Sequence, residues 1–151
     1  AINSLNDSGM RDDLDKLVLE KRIPILGICV GMQIMLKGSE EGSEQGLNWI
    51  DATNIHLSKL LPKDTKIPHL GWNQVLDQDS LLLKNIKNPR FYFLHSYFLS
   101  LNNEINIYAY TTYQKRFPCA LSKNNQIFGV QFHPEKSHES GVKLLLNFAN
   151  L

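Results

Sequence analysis

This sequence is short of the features that mark secreted, membrane and metal-binding proteins. Its 151 residues hold two cysteines, Cys29 and Cys119, far apart and with no metal-like spacing around either. That supports neither a disulfide framework nor a zinc site, and it fits a reducing cytoplasm. No metal and no cofactor is expected. No apolar run approaches the length that spans a bilayer, and the opening Ala1-Ile2-Asn3-Ser4-Leu5-Asn6 lacks a charged region followed by an apolar core. Neither membrane insertion nor secretion is therefore expected. Charge of one sign is missing too: with a net charge of +1 and Lys and Arg scattered among acids, no basic stripe offers itself to nucleic acid. There is no internal repeat and no low-complexity segment. What remains, 42% hydrophobic and 21% charged, is enough for one globular domain over residues 1–151.

The chain is organised around Pro24-Ile25-Leu26-Gly27-Ile28-Cys29-Val30-Gly31-Met32-Gln33. The apolar run Ile23 to Ile28 reads as a short buried strand, and Met32 to Lys37 as the start of a helix. Between them, Gly27-x-Cys29-x-Gly31 has the spacing of a nucleophile elbow, a turn so tight that side chains at the flanking positions would collide with neighbouring backbone. Such a turn lifts the cysteine out of the sheet. The helix that follows aims free N–H groups at it, which favours thiolate over thiol. The competing reading of Cys29 is a small buried hydrophobe that ends a strand.

Asp7 or Ser8 caps a helix predicted to reach Arg22, with Met10, Leu14, Leu17 and Val18 on one stripe. Helix, buried strand and helix in succession is the rhythm of a parallel sheet, whose ligands bind beyond the carboxyl ends of the strands. After Gly38, a helix-ending residue, Ser39 to Gly46 is a polar loop. Glu40 and Glu44 read as solvated, whereas Glu41 is placed to curl back towards the cysteine. Leu47 to Val75 reads as short strands and loops, and Asp79-Ser80 as the cap of a helical turn. Phe91 to Leu99 is the strongest strand signal, aromatic on both faces and so expected to be central, with His95 as a hydrogen-bonded core histidine. Further strands are expected at Ile105 to Tyr113, Phe117 to Leu121 and Ile127 to Phe132, as hairpins attached to a parallel core. A closing helix from Glu139 should pack Val142, Leu145, Leu146 and Ala149 inward.

Directly after the last strand stands Phe132-His133-Pro134-Glu135. Extended residues i and i+2 share a side, so His133 and Glu135 can look into one crevice, with Pro134 making their spacing rigid. A nucleophilic cysteine needs a base to take its proton and an acid to hold the imidazole. Cys29, His133 and Glu135 would form such a triad; a proline turn with a surface His and Glu is the alternative. Gly27-Ile28-Cys29-Val30-Gly31-Met32-Gln33 and Gly129-Val130-Gln131-Phe132-His133-Pro134-Glu135 together resemble the class I (triad) glutamine amidotransferases. Pro68-His69-Leu70-Gly71-Trp72-Asn73 and Tyr92-Phe93-Leu94-His95-Ser96-Tyr97 narrow the resemblance to the glutaminase subunits of imidazole glycerol phosphate synthases. It covers the chain from about Met10 to Phe148.

That resemblance implies an α/β fold, a flavodoxin-like three-layer sandwich with a mostly parallel sheet and an added antiparallel section. It implies hydrolysis of glutamine to glutamate and ammonia, the ammonia passing to a cyclase (β/α)8-barrel subunit bound as a heterodimer. On this pattern Cys29 would attack the amide carbon, His133 would carry the proton to the departing ammonia and Glu135 would orient His133. The N–H of Val30, next to Gly31, would be one oxyanion donor. Gly31, Gln33, Glu41, Ser96 and Tyr97 would belong to the glutamine pocket, and Trp72 to the partner interface. In the family a strand, a helix and a Pro-Gly-x-Gly segment with the other oxyanion donor come first, so the chain is expected to be N-terminally truncated and poorly active by itself. Two other readings stay open. The His138 end of Pro134-Glu135-Lys136-Ser137-His138 is similar to paralogues that supply ammonia for sugar amidation in surface-polysaccharide synthesis. A non-catalytic partner-binding module would keep the triad as inherited framework. A papain-like protease fits less well, since no Cys-Gly-x-Cys-Trp stretch exists.

Overall fold

The computed structural model describes residues 1–77, 80–101 and 106–151. Two apolar tetrapeptides with glycine in third place, Ile-Leu-Gly-Ile and Ile-Phe-Gly-Val, pair with each other: β1 (Ile25–Ile28) runs parallel to β9 (Ile127–Val130), with Gly27 opposite Gly129. A strand covered on both faces reads as an unbroken apolar run, and β9 is wholly buried, whereas β1, terminal in its sheet, keeps Ile25, Leu26 and Ile28 half-buried. From β9 the six-stranded sheet continues through β8 (Lys115–Lys123), β7 (Asn106–Tyr113), β4 (His69–Asp77) and β5 (Arg90–His95), each antiparallel to the one before. A three-stranded sheet sets β2 (Leu36–Ser39) parallel to β3 (Ile50–His56), and β3 antiparallel to β6 (Tyr97–Leu101). The fold is mixed α/β, as the sequence implies. Among the described residues the parallel ladders are β1·β9 and β2·β3, so the antiparallel section is larger than an addition to a mostly parallel sheet.

Successive side chains of β9 point to opposite faces, which divides the core in two. Phe128 and Val130 join Phe91, Phe93, Phe132 and Leu144 on one side, while Ile127 joins Met32, Met35, Leu36, Trp49 and Ile50 on the other. Helix α4 (His138–Ala149) supplies Leu144 to the first, and α3 (Val30–Met35) supplies Met32 and Met35 to the second. Each such side chain removed from water contributes about 1.5–3 kcal/mol.

Local pattern and tertiary packing disagree in four places. The first helix is interrupted: α1 (Ile2–Asp7) is closed by the Ser8 hydroxyl donating to Leu5 O, Gly9 takes a φ of +72°, and α2 (Arg11–Asp15) widens into a π turn over Lys16–Glu20. Of its expected stripe Val18 is buried, Leu14 packs partly, and Met10 and Leu17 face solvent. Helix α3 ends at Met35, because Leu36 is fully buried by turning extended and pairing with Ile50; packing overrides helix propensity here. The aromatic run is two strands in two sheets, broken at Ser96. β5 is terminal in the sheet rather than central, and its outer edge is closed by Tyr92 O accepting from His133 N and Tyr92 N donating to Ser137 Oγ. In α4, Val142, Leu145 and Leu146 are outward, and Gly141, Leu144 and Phe148 form the packing face. The reason is Gly141: a Cβ there would lie 1.8 Å from Pro134 O, so this glycine brings the helix onto the Pro134 turn. Ser80 caps its turn through hydrogen bonds from Leu82 N and Leu83 N; Asp79 and Ile105 lie outside the described residues.

Candidate active site

β1 ends in a turn that puts Cys29 at φ +49°, ψ −106°, a backbone conformation L-residues seldom adopt and one that clusters at functional sites. The turn is held from both sides, by Cys29 N donating to Val130 O at 2.8 Å and Gln33 N donating to Cys29 O at 3.0 Å. Gly27 is required: its Cβ would stand 2.7 Å from the Gly31 carbonyl carbon and the Met32 nitrogen. At Gly31 the expected collision is absent, since a Cβ there meets nothing within 4 Å and points into open space. The elbow therefore needs one of its two glycines for backbone clearance.

A cavity of about 270 Å³ opens at Cys29. Val30, Gln33, Glu41, Ser96 and Tyr97 line it with the cysteine, so the pocket positions named from the sequence meet in one place, apart from Gly31. Pro68, Leu94 and His95 complete the wall. The break at Ser96 is what lets the chain pass from β5 to β6 around this cavity. Glu41 is held near by its neighbour Glu40, which is anchored rather than free: its carboxylate accepts from His56 N at 2.9 Å and pairs with Lys59.

Cys29 is buried. Burial pushes the Cys29 thiol above its ordinary range; hydrogen bonds from Val30 N–H and Gln131 act the other way, and the Glu135 and Glu41 carboxylates add to the rise. The expectation of a thiolate at rest is thus reversed, because desolvation outweighs a helix of only six residues.

His133 and Glu135 do meet, with His133 Nδ1 2.7 Å from Glu135 Oε1. They do so across a tight 3-10 turn, Pro134–Lys136, rather than along an extended strand. Pro134 fixes that turn. The other ring nitrogen, His133 Nε2, is buried and has no hydrogen-bond partner, the thiol included. It is the nitrogen left to move a proton.

Two further histidines meet at the cavity wall. His95 Nδ1 donates to Tyr97 O at 2.7 Å, and its Nε2 is 2.9 Å from His69 Nδ1. His95 is thus the core histidine expected from the sequence, with a partner, His69, that the sequence did not single out. Trp72 is partly exposed, stacks on His138 at 5.2 Å and 2°, and meets Tyr92 edge-on at 6.2 Å. Lys136 Nζ lies 5.9 Å from the Tyr92 ring centre, so the aromatic patch continues into the turn that carries Glu135. Among the described residues no cluster could hold a metal ion, and no helix is long and apolar enough to cross a membrane.

An elbow cysteine on β1 and a His–Glu pair just beyond its parallel neighbour β9 are what the class I glutamine amidotransferase resemblance implies. The family Glutamine amidotransferase class-I matches residues 4–150, and the chain belongs to it. It is 48% identical over 156 residues to the imidazole glycerol phosphate synthase subunit HisH of Leptospira interrogans, covering 99% of this chain and 74% of that protein. To subunit HisH 2 of the same synthase from Methanococcus maripaludis it is 44% identical over 149 residues, covering 97% and 72%. Among solved structures it matches a glutamine amidotransferase with a TM-score of 0.70 at 15% identity, covering 97% of this chain and 71% of that one. A glutamine amidotransferase from Thermotoga maritima matches with 0.57 at 19%, covering 91% and 52%. At such identities the structures speak for the fold alone.

Proposed function

We propose that this chain is the glutaminase subunit of an imidazole glycerol phosphate synthase, releasing ammonia from glutamine for a cyclase partner in histidine biosynthesis. The observation that carries this reading is the cavity shared by Cys29, Val30, Gln33, Glu41, Ser96 and Tyr97. His133 Nε2 takes the thiol proton and the sulfur adds to the side-chain amide carbon of a glutamine held in that cavity. The amide oxygen takes up the negative charge and accepts from Val30 N–H; loss of one such donor typically costs roughly a hundred- to a thousandfold in rate. His133 then gives its proton to the nitrogen, which leaves as ammonia with the C–N bond and its electron pair. A glutamyl thioester remains on Cys29. Water adds to it as His133 accepts a proton, the C–S bond breaks with its electron pair on sulfur, His133 returns the proton to Cys29, and glutamate departs. Glu135 holds the ring so that Nε2 faces the reaction, and Glu41 offers a carboxylate to the substrate ammonium.

The ammonia passes to a (β/α)8-barrel cyclase docked as a heterodimer over the Trp72 patch, and both work in the cytoplasm. The relatives' names support the pathway. The test is glutamate release by the chain together with a cyclase subunit. The expected result is release that falls roughly a thousandfold or more in Cys29→Ser. Equal rates in the two proteins would leave a non-catalytic binding module, and stimulation by a sugar-amidating synthase alone would move the chain to the other pathway.

A further inference from the structure

We propose that Gln131 is a further catalytic residue, whose side-chain amide donates to the Cys29 sulfur and sets how readily the thiol gives up its proton. The proposal rests on the glutaminase reading only in taking Cys29 as the nucleophile. Gln131 directly follows β9, and its backbone N–H continues the ladder by donating to Cys119 O at 2.8 Å. Its side chain is wholly buried. A buried amide must find partners for both ends. Here Oε1 accepts from Gln33 Nε2 at 3.5 Å, and Nε2 donates to Cys29 Sγ at 3.7 Å.

The orientation follows from the network. The thiol proton is directed at Leu94 O, 3.8 Å from the sulfur, which leaves the sulfur lone pairs for a donor. With its oxygen engaged by Gln33, the Gln131 amide turns its N–H to the sulfur. When the thiol ionises, the S–H bond to Leu94 O is lost and that carbonyl faces a negative charge. The Gln131 and Val30 N–H groups are then what offsets it. Against them stand the Glu41 carboxylate from the loop after β2 and the Glu135 carboxylate from the turn after β9. Among the described residues the other ionisable groups here are His95 and Tyr97, which line the same cavity, and His133, paired with Glu135. Burial keeps His95 neutral at working pH. Gln131 is thus a neutral donor fixed in place before substrate arrives, so its alignment costs nothing at the moment of reaction.

The test uses iodoacetamide on the 151-residue chain, read by mass at Cys29 across pH, with fully buried Cys119 as the unreactive reference. Only thiolate reacts: the S–C bond forms as C–I breaks and iodide leaves. Gln131→Met keeps the shape without the donor, and Gln131→Glu replaces the donor with a carboxylate oxygen. The alkylation midpoint should rise by about one pH unit in Gln131→Met and further in Gln131→Glu. Because a more basic thiolate is also more nucleophilic, the rate at neutral pH should fall only about threefold, with a high-pH plateau at or above that of wild type. Midpoints unchanged in both variants would overturn the proposal. If neither variant folds, the wild-type Gln131 side-chain amide resonances decide: one amide proton should move downfield with the Cys29 titration, and no movement would overturn the proposal. A fixed midpoint in a chain that hydrolyses glutamine sinks this role alone. A shifted midpoint in a chain that releases no glutamate even with a cyclase subunit present sinks the glutaminase reading and supports this one.

Discussion

Acid should begin to unfold this protein above the carboxylate range, because two buried histidines have no room for a proton. Tyr97 O takes the His95 Nδ1 proton, so His95 Nε2 must accept, and the proton between the rings belongs to His69 Nδ1. His69 Nε2 in turn faces the Asn73 amide at 3.3 Å, which also donates to Thr112 O at 2.8 Å. His69 is stacked between Phe93 at 4.6 Å and Tyr113 at 4.3 Å. A second proton on His95 would point at the N–H of its neighbour. Burial lowers His95 to about 4, partly offset by the Tyr97 carbonyl, and lowers His69 to about 3, with repulsion between the rings second. An unfolded imidazole titrates near about 6.5. Above that value both states are neutral and the stability is fully present. Below it the unfolded chain binds protons that the folded one refuses, at about 1.4 kcal/mol per pH unit for each ring. His95 alone then removes about 3 kcal/mol by the time its folded value near 4 is reached. His69 continues to about 3. Against a typical domain stability of about 5–15 kcal/mol this is a large share. The exposed carboxylates of Glu40 and Glu139, held low by Lys59 and Lys143, act only below their ordinary value of 4.5, so the histidine loss begins about two pH units above theirs. Urea midpoints measured in half-unit steps should fall from about pH 6.5 downward with the slope in urea unchanged, and less steeply in His69→Gln. A midpoint flat from about pH 7 to 5, or a fall identical in His69→Gln, would refute the reasoning.

Glu135→Gln should leave KM near wild type and lower kcat by three to four powers of ten, roughly as loss of the orienting acid does in other triads; steady-state glutaminase kinetics check it. Gly27→Ala should destabilise the fold by about 1–3 kcal/mol, since its Cβ is driven into fixed backbone at 2.7 Å, whereas Gly31→Ala should be neutral to slightly stabilising. Thermal unfolding of the pair tests that contrast. Trp72→Ala should weaken the cyclase complex by about 2 kcal/mol or more by titration calorimetry while barely moving the melting temperature, because the ring is partly exposed in this chain.

The parts of this account legible in the sequence are those whose cause is local. Gly27 and Cys29 announce a turn because the steric demand lies within five residues. The His133–Glu135 contact depends on Pro134, which stands between them. Leu36 shows the limit: nothing near it says that Ile50 and Trp49 will draw it out of a helix. The break at Ser96 is hidden for the same reason, since β5 and β6 share an unbroken aromatic pattern and part only because two different strands claim them. In α4 hydrophobicity alone points Val142, Leu145 and Leu146 inward, whereas the close approach at Gly141 turns them outward. Gln131 carries a readable signal: an amide between Val130 and Phe132, in an apolar run, must have a partner, and here the partner is Cys29.

The most direct measurement is intact mass after exposure to an electrophilic glutamine analogue, with and without excess glutamine. The account predicts one adduct, absent from Cys29→Ser, retained in Cys119→Ser and suppressed by glutamine. An adduct that persists in Cys29→Ser, or a folded chain that takes none with its cyclase present, would contradict it.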